Sequence, residues 1–154
     1  MKIAIGSDHA GYILKEQIKR FLGKMDIETA DAGTGSEESV DYPDYGSEVA
    51  RAVSAGRVAR GILICGSGIG MSIVANKFPG IRAALCRDAE TAVLSRRHND
   101  SNILVLAGRE RGSDEAEAIV QAWLDTAFDG GRHQRRLDKI TTIELDSERN
   151  PGEL

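Results

Sequence analysis

Cys65 ends a short apolar run and opens directly into "CGSGIG" (65–70), a loop with glycine at every second position. A nucleophile set against a run of backbone N–H groups is the feature most able to do chemistry in this chain. The amides from Gly66 to Gly70, including those of Ser67, Gly68 and Ile69, lead into a helix expected to start near Ile69. Such amides and the helix dipole favour an anion, and the same donors favour a thiolate at Cys65. The plainer alternative is a cysteine that merely packs at the end of a buried strand, as free cysteines commonly do; the adjoining loop shifts the balance towards function. Three known cradles do not fit. The dinucleotide fingerprint G-x-G-x-x-G and the P-loop G-x-x-x-x-G-K-[ST] both require glycine where Met71 stands. A C-x-x-x-x-x-R phosphatase loop requires arginine at that same position.

Other groups with chemical potential follow further strands and helices. "GSDHAG" (6–11) offers Asp8 and His9, "AGRERG" (107–112) offers Arg109, and "RRHND" (96–100) offers His98 and Asn99. Taken singly, each has a structural explanation. Asp8 suits a helix N-cap beside a surface histidine, and His98 suits a helix C-terminus, where a cation meets the dipole. "GGRHQRR" (130–136) offers Arg132, His133, Arg135 and Arg136. Arg132 and Arg136 stand four residues apart and share one helix face. The pair reads either as a solvated basic patch or as a clamp for a phosphate dianion. Gly130 and Gly131 would let this segment turn away from the domain, towards a partner. Cys86 is followed by "RDAE" and reads as a packed small side chain.

The elements that must position these groups alternate regularly. Short apolar runs at 2–5, 27–31, 61–65, 81–86 and 102–107 are separated by segments with helical spacing. Leu14, Ile18, Phe21 and Leu22 make one stripe, and Ile119, Val120, Trp123, Leu124 and Ala127 make another. Asp88 and Asp114 are expected helix N-caps, the latter with Glu117 as a capping box. This alternation predicts an α/β protein, a three-layer αβα sandwich around a five-stranded parallel sheet of Rossmann-like type, with a helical extension at the C-terminus. "ILIC" and "ILVLA" read as central strands buried on both faces. The domain is expected to span residues 1–143, with 144–154 a frayed tail. "TGSEESVDYPDYG" (34–46) reads as a polar loop that can wall a site.

Composition narrows the classes. The chain has 154 residues, 41% of them hydrophobic and 29% charged, which fits one soluble globular domain. A net charge of −4 argues against a nucleic-acid surface. No apolar run approaches the roughly 18 residues of a membrane span, and "MKIAIGSDHAG" does not read as a signal peptide. Two cysteines without such a signal point to free thiols in a reducing cytoplasm.

Taken together, "GSDHAG", "DYPDY" (41–45), "ILICGSGIGMSIVANKFPGIRAALC" (62–86), "SRRHNDSN" (95–102) and "GGRHQRR" resemble the type B ribose-5-phosphate isomerases and the related allose- and galactose-phosphate isomerases. The similarity runs in order to about Ile143, and no catalytic position departs from the pattern. The resemblance implies an aldose–ketose isomerase of phosphorylated sugars that uses no metal or redox cofactor. By position, Cys65 resembles the base that removes the C2 proton. His98, with Asp8, resembles the pair that opens the furanose ring, and the Gly66–Gly70 amides with Asn99 resemble the anion hole. His9, Arg109, Arg132 and Arg136 resemble the phosphate set, and Ser67 a proton relay between O1 and O2. The family is dimeric or tetrameric, with each site shared between subunits. Tyr42, Ser67 and the 34–46 loop are the expected specificity wall.

The rivals at this stage are an isomerase of another sugar phosphate (allose 6-phosphate, galactose 6-phosphate or a tetrose phosphate) and, from another class, a nucleotide- or flavin-binding module. For Asp8 and Cys65 to share one cleft, the first and third strands must be neighbours.

Overall fold

The structure, a computed structural model, describes residues 2–109 and 112–149. Five parallel strands form its centre: β1 (Lys2–Ser7), β2 (Glu28–Asp31), β3 (Arg60–Cys65), β4 (Ala83–Leu85) and β5 (Ile103–Ala107), in the spatial order β2-β1-β3-β5-β4. β1 and β3 are neighbours, as a shared cleft requires. The two most apolar strands occupy interior positions, β3 at the centre of the sheet and β5 beside it, with their apolar side chains fully buried.

Side chains alternate across the sheet with the two-residue period of a strand. On one face Ile3, Ile5, Ile62, Ile64, Leu104 and Leu106 meet α1 (Tyr12–Lys24) and α5 (Ser113–Asp125) through Leu14, Ile18, Leu22, Ile119, Val120 and Trp123. On the other, Ala4, Leu63, Cys65, Ile103 and Val105 meet Val49 and Val53 of α2 (Tyr42–Ser54) and Met71 of α3 (Ile69–Ala75). α4 (Ala89–Asn99) adds Ala92 to the first layer and packs against α5. Each sequence stripe thus becomes the inward face of one helix, except that α5 ends at Asp125 and leaves Ala127 beyond it, exposed. No helix among the described residues is long and apolar enough to cross a membrane.

Three boundaries differ from the sequence reading. Asp88 does cap α4, in a reciprocal capping box with Thr91. α5, however, begins one residue before Asp114, with Gly112 at its cap, so Asp114 and Glu115 lie in the first turn, where their charge complements the dipole. α2 begins at Tyr42, which shortens the polar loop. The segment after Ile143 is no frayed tail as far as it is described: α6 (Arg132–Arg149) continues through it. There the Glu144 carboxylate accepts two hydrogen bonds from the Gly80 N–H, at 2.9 and 3.0 Å, and the Ser147 hydroxyl donates to the Ile143 carbonyl. Residues 150–154 of the expected tail lie outside the described residues.

The loop leaving β2 is held by a buried cation. Lys15 Nζ, on α1, donates to both Asp31 oxygens at 2.9 and 2.7 Å and to the Thr34 carbonyl at 2.9 Å. Lys19 adds a third bond to Asp31. Burial works against ionisation of Asp31, but the bonds from Lys15, Lys19 and the Gly33 N–H outweigh it and hold its pKa below the ordinary aspartate value. A carboxyl held low contributes its full stability above the unfolded-chain value near 4 and loses it as pH falls through the folded value. Asp31→Asn is therefore expected to destabilise the fold at pH 7 by about 2–3 kcal/mol, because it leaves Lys15 buried with its main carboxylate gone. Urea unfolding should show the gap to the parent closing as pH drops from about 5 to about 2. A gap that does not change with pH would contradict this account.

Candidate active site

In a parallel sheet covered by helices, every strand ends at one edge and every connecting helix ends at the other; ligands collect at the carboxyl edge. The exits of β1, β3 and β5 build a cavity of about 450 Å³ there, lined by Asp8, His9, Ala10, Tyr42, Cys65, Gly66, Ser67, Gly70 and Arg109. Sequence reading supplied all of these except Ala10.

Each group is fixed by its backbone. Asp8 is buried, and its N–H donates to the Ile64 carbonyl, tying the exit of β1 to β3. Its Oδ1 accepts from the Gly11 N–H at 3.1 Å, capping a 3-10 turn over His9–Gly11. His9 Nδ1 lies 3.2 Å from both the N–H and the carbonyl oxygen of Val40, across the polar loop. When it accepts that hydrogen, Nε2 carries the ring's own hydrogen and is a donor. The loop thus orients a cavity residue, which its composition did not reveal.

Cys65 ends β3 and is only 4% exposed. Its carbonyl accepts from the Gly108 N–H at 2.8 Å, and the Gly66 carbonyl accepts from the Arg109 N–H at 3.2 Å, so the exit of β5 lays Arg109 alongside the glycine loop. Two of the loop glycines are required sterically. Gly68 has φ +75°, and a Cβ there would stand 2.4 Å from Leu85 Cδ1 and 3.2 Å from the Leu106 carbonyl oxygen. A Cβ on Gly70 would come within 2.6 Å of the Tyr42 ring, which therefore lies directly on the loop. The Ser67 hydroxyl accepts from the Ile69 N–H at 3.3 Å, at the start of α3.

His98, Asn99, Arg132 and Arg136 do not line this cavity. His98 and Asn99 end α4, at the amino edge of the sheet: the Asn102 carbonyl just beyond them accepts from the N–H of Gly61, near the start of β3. Cys65 stands at the far end of that six-residue strand, roughly 16 Å away along the strand direction. The α4 end is rigidly built. Asp100, left-handed at φ +45°, accepts from Arg96 at 2.7 Å and from Arg82 at 2.9 Å, and the Trp123 indole donates to Ser101 at 2.8 Å. Gly130 and Gly131, both at positive φ, turn the chain into α6. Arg132 and Arg136 are exposed on that helix and form no ion pair among the described residues. A second cavity, about 270 Å³, brings Asn99 beside Leu137 and Ile140. The carried-over site residues thus fall into two constellations within one chain.

Among the described residues, one trio has metal-ligand types in reach of one another: His98, Asp129 and His133. The two imidazoles are stacked, with centroids 4.3 Å apart and planes 6° apart. Ligand lone pairs lie in the ring planes, and two parallel planes cannot both contain one ion. Asp129 is already paired with Arg97 at 3.1 Å. Cys86 is packing: burial raises its pKa, and its Sγ lies 3.6 Å from the Ala84 carbonyl.

Known proteins resemble this chain over nearly its whole length. The model of the family described as ribose/galactose isomerase matches residues 3–140. Ribose-5-phosphate isomerase B of Escherichia coli is 52% identical over 143 residues, 93% of this chain and 96% of that protein. Among solved structures, the ribose-5-phosphate isomerase B of Clostridium thermocellum superposes with a TM-score of 0.93 at 55% identity, covering 95% of this chain and 99% of that one. The Mycoplasma genitalium enzyme with bound ribulose 5-phosphate gives a TM-score of 0.90 at 40% identity, covering 94% and 96%.

Proposed function

The chain belongs to the ribose/galactose isomerase family, and from that premise we propose that it interconverts ribose 5-phosphate and ribulose 5-phosphate through an enediolate, with Cys65 as the base. The observation that carries this reading is the placement of Cys65 beside the Gly66–Gly70 loop, in one cavity with Asp8, His9 and Arg109. A proton next to a carbonyl is weakly acidic, so a base alone is insufficient. The negative charge that moves onto O1 as the C2 proton leaves must meet fixed donors, each typically worth about 10²–10³ in rate. Cys65 takes the C2 proton, the electron pair forms the C1–C2 double bond, and the loop amides hold the oxyanion. A proton then passes from O2 to O1, with Ser67 placed to relay it, and the thiol returns its proton to C1. No electron leaves the substrate, so the step needs no redox partner.

Ribose 5-phosphate is cyclic, and its ring must open first. One group removes the proton of the C1 hydroxyl while another protonates the ring oxygen as the C1–O4 bond breaks. We assign this step to His98 with Asp8. Because His98 lies at the opposite edge of its own sheet, the assignment requires a second copy of the chain. The working unit is a homodimer or a larger assembly in which one subunit supplies Cys65, the glycine loop, Asp8, His9, Tyr42 and Arg109. Its partner brings His98, Asn99, Arg132 and Arg136. The exposed, carboxylate-free arginines and the exposed Ile140 and Ile143 of α6 suit such a surface. The phosphate, held by His9 and the three arginines, anchors the chain of the sugar while the chemistry proceeds at its other end. The two free, buried cysteines are consistent with a cytoplasmic enzyme.

Tyr42 closes one wall of the cavity by lying on Gly70, which favours a short sugar chain. A coupled assay with a panel of aldose phosphates tests the choice. The expected kcat/KM for ribose 5-phosphate exceeds those for allose 6-phosphate, galactose 6-phosphate and erythrose 4-phosphate by about tenfold or more. Faster turnover of a hexose or tetrose phosphate would move the assignment to that sugar.

A further inference from the structure

His133 has no part in the chemistry assigned above, yet it makes the closest ring contact of the residue that does. Its imidazole stacks on that of His98, with centroids 4.3 Å apart and planes 6° apart, and it is almost fully buried at the start of α6. The neighbouring Arg132 and Arg136 are both exposed, so of these three residues His133 alone faces inward. Its backbone is fixed by a bond from its N–H to the Gly130 carbonyl at 3.0 Å, immediately after the two left-handed glycines. The adjoining loop is fixed to α4 in turn: the Asp129 N–H donates to the Arg97 carbonyl at 3.0 Å, and its carboxylate accepts from Arg97 Nε. A closed circuit of α4, the 126–131 loop and α6 therefore presses one flat ring on another.

We propose that His133 is a positioning residue for ring opening: stacked on His98, it fixes the plane of the imidazole that exchanges protons with the sugar. The proposal rests on the assignment of ring opening to His98. An imidazole at the end of a helix can turn about two side-chain bonds, and proton transfer demands a lone pair aimed at one oxygen within hydrogen-bond reach. A stacked partner removes the rotation without occupying either ring nitrogen. The charges facing His133 disfavour its own protonation. Burial, His98 itself, Arg132 and Arg136 all lower the pKa of His133, with Asp129 opposing them and paired to Arg97.

The test separates ring opening from enolisation. Ribulose 5-phosphate cannot close a furanose ring, because its O5 carries the phosphate. Exchange of its C1 proton with solvent therefore needs Cys65 and the loop but no ring opening. His133→Ala is expected to lower kcat for ribose 5-phosphate by about tenfold, as misplacement of a reacting group does. C1 exchange from ribulose 5-phosphate should stay within about twofold of the parent. His133→Phe keeps a flat ring and is expected to recover most of the ribose 5-phosphate rate. Equal loss of both reactions in the alanine variant would mean that His133 merely supports the fold or the phosphate site, and would overturn the proposal. So would a failure of phenylalanine to rescue, or an alanine variant that turns over ribose 5-phosphate normally. His98→Ala is the control for the premise: if it leaves ribose 5-phosphate turnover intact, the ring-opening assignment itself is wrong, whatever His133 does.

Discussion

Replacing Cys65 by alanine is expected to abolish exchange of the C2 proton of ribose 5-phosphate with solvent while the variant still binds the sugar phosphate. The loss in kcat should reach at least about 10³, within the range that a positioned general base supplies. Binding measured by calorimetry should weaken by no more than a few-fold, because the groups assigned to the phosphate, His9, Arg109, Arg132 and Arg136, are untouched. The physical case is local. Cys65 is the last residue of a central strand: it pairs with Ala107 of β5 and its carbonyl accepts from the Gly108 N–H, while the preceding Ile64 is tied to β1. The next residues turn through Gly68, where no other residue fits. The loop amides and the sulfur thus hold a fixed relation. Serine would keep that relation but offer a far weaker base, so Cys65→Ser should fall nearly as far as alanine. Cys86→Ala, which alters a packed thiol on the other face of the sheet, should keep turnover within about twofold. Proton exchange measured by NMR in D2O decides the matter. Near-normal exchange in Cys65→Ala would eliminate the thiolate base and leave the loop as an anion hole serving some other group.

Much of this was legible in the sequence, because strand and helix periodicities are local properties. "ILIC" and "ILVLA" gave β3 and β5 almost to the residue. The stripe from Leu14 to Leu22 gave the inward face of α1, and the need for Asp8 to meet Cys65 predicted the neighbouring of β1 and β3. The helix ends were harder to place. The charged run after Ile143 reads as a tail, but a helix continues there with Glu144 bound to Gly80, sixty-four residues away in sequence. Asp114 reads as a cap, yet an aspartate in the first turn complements the dipole equally well. The tie from His9 to the Val40 backbone and the circuit joining Arg97, Asp129 and His133 were likewise invisible, since neither leaves a spacing signature. The largest gap concerned edges of the sheet. A sequence motif does not say which end of the strands it will reach, so His98 looked like a companion of Asp8. The direction of α4 places it at the other edge. The parallel topology separates the inherited list of site residues into two groups, one at each edge of the sheet.

That division leads to a result that a single-chain site cannot produce. Cys65→Ala and His98→Ala enzymes should each be nearly inactive on ribose 5-phosphate, yet unfolding them together and refolding the mixture should restore activity. In a dimer with shared sites, one mixed site collects both defects, while the other receives Cys65 from one chain and His98 from its partner, both intact. Random pairing makes about half of the dimers mixed, each with one working site in two, so recovery should approach about a quarter of the parent activity. Refolding either variant alone should recover nothing, which controls for chemical rescue. If His98 reached the cavity of its own chain, every site in the mixture would keep one lesion and the mixture would stay dead. The same logic applies to Arg136→Ala paired with Cys65→Ala, read at substrate concentrations where phosphate binding limits the rate. Complementation by His98 without complementation by Arg136 would place the arginine clamp on the same subunit as the base, and would split the partner's contribution between α4 and α6.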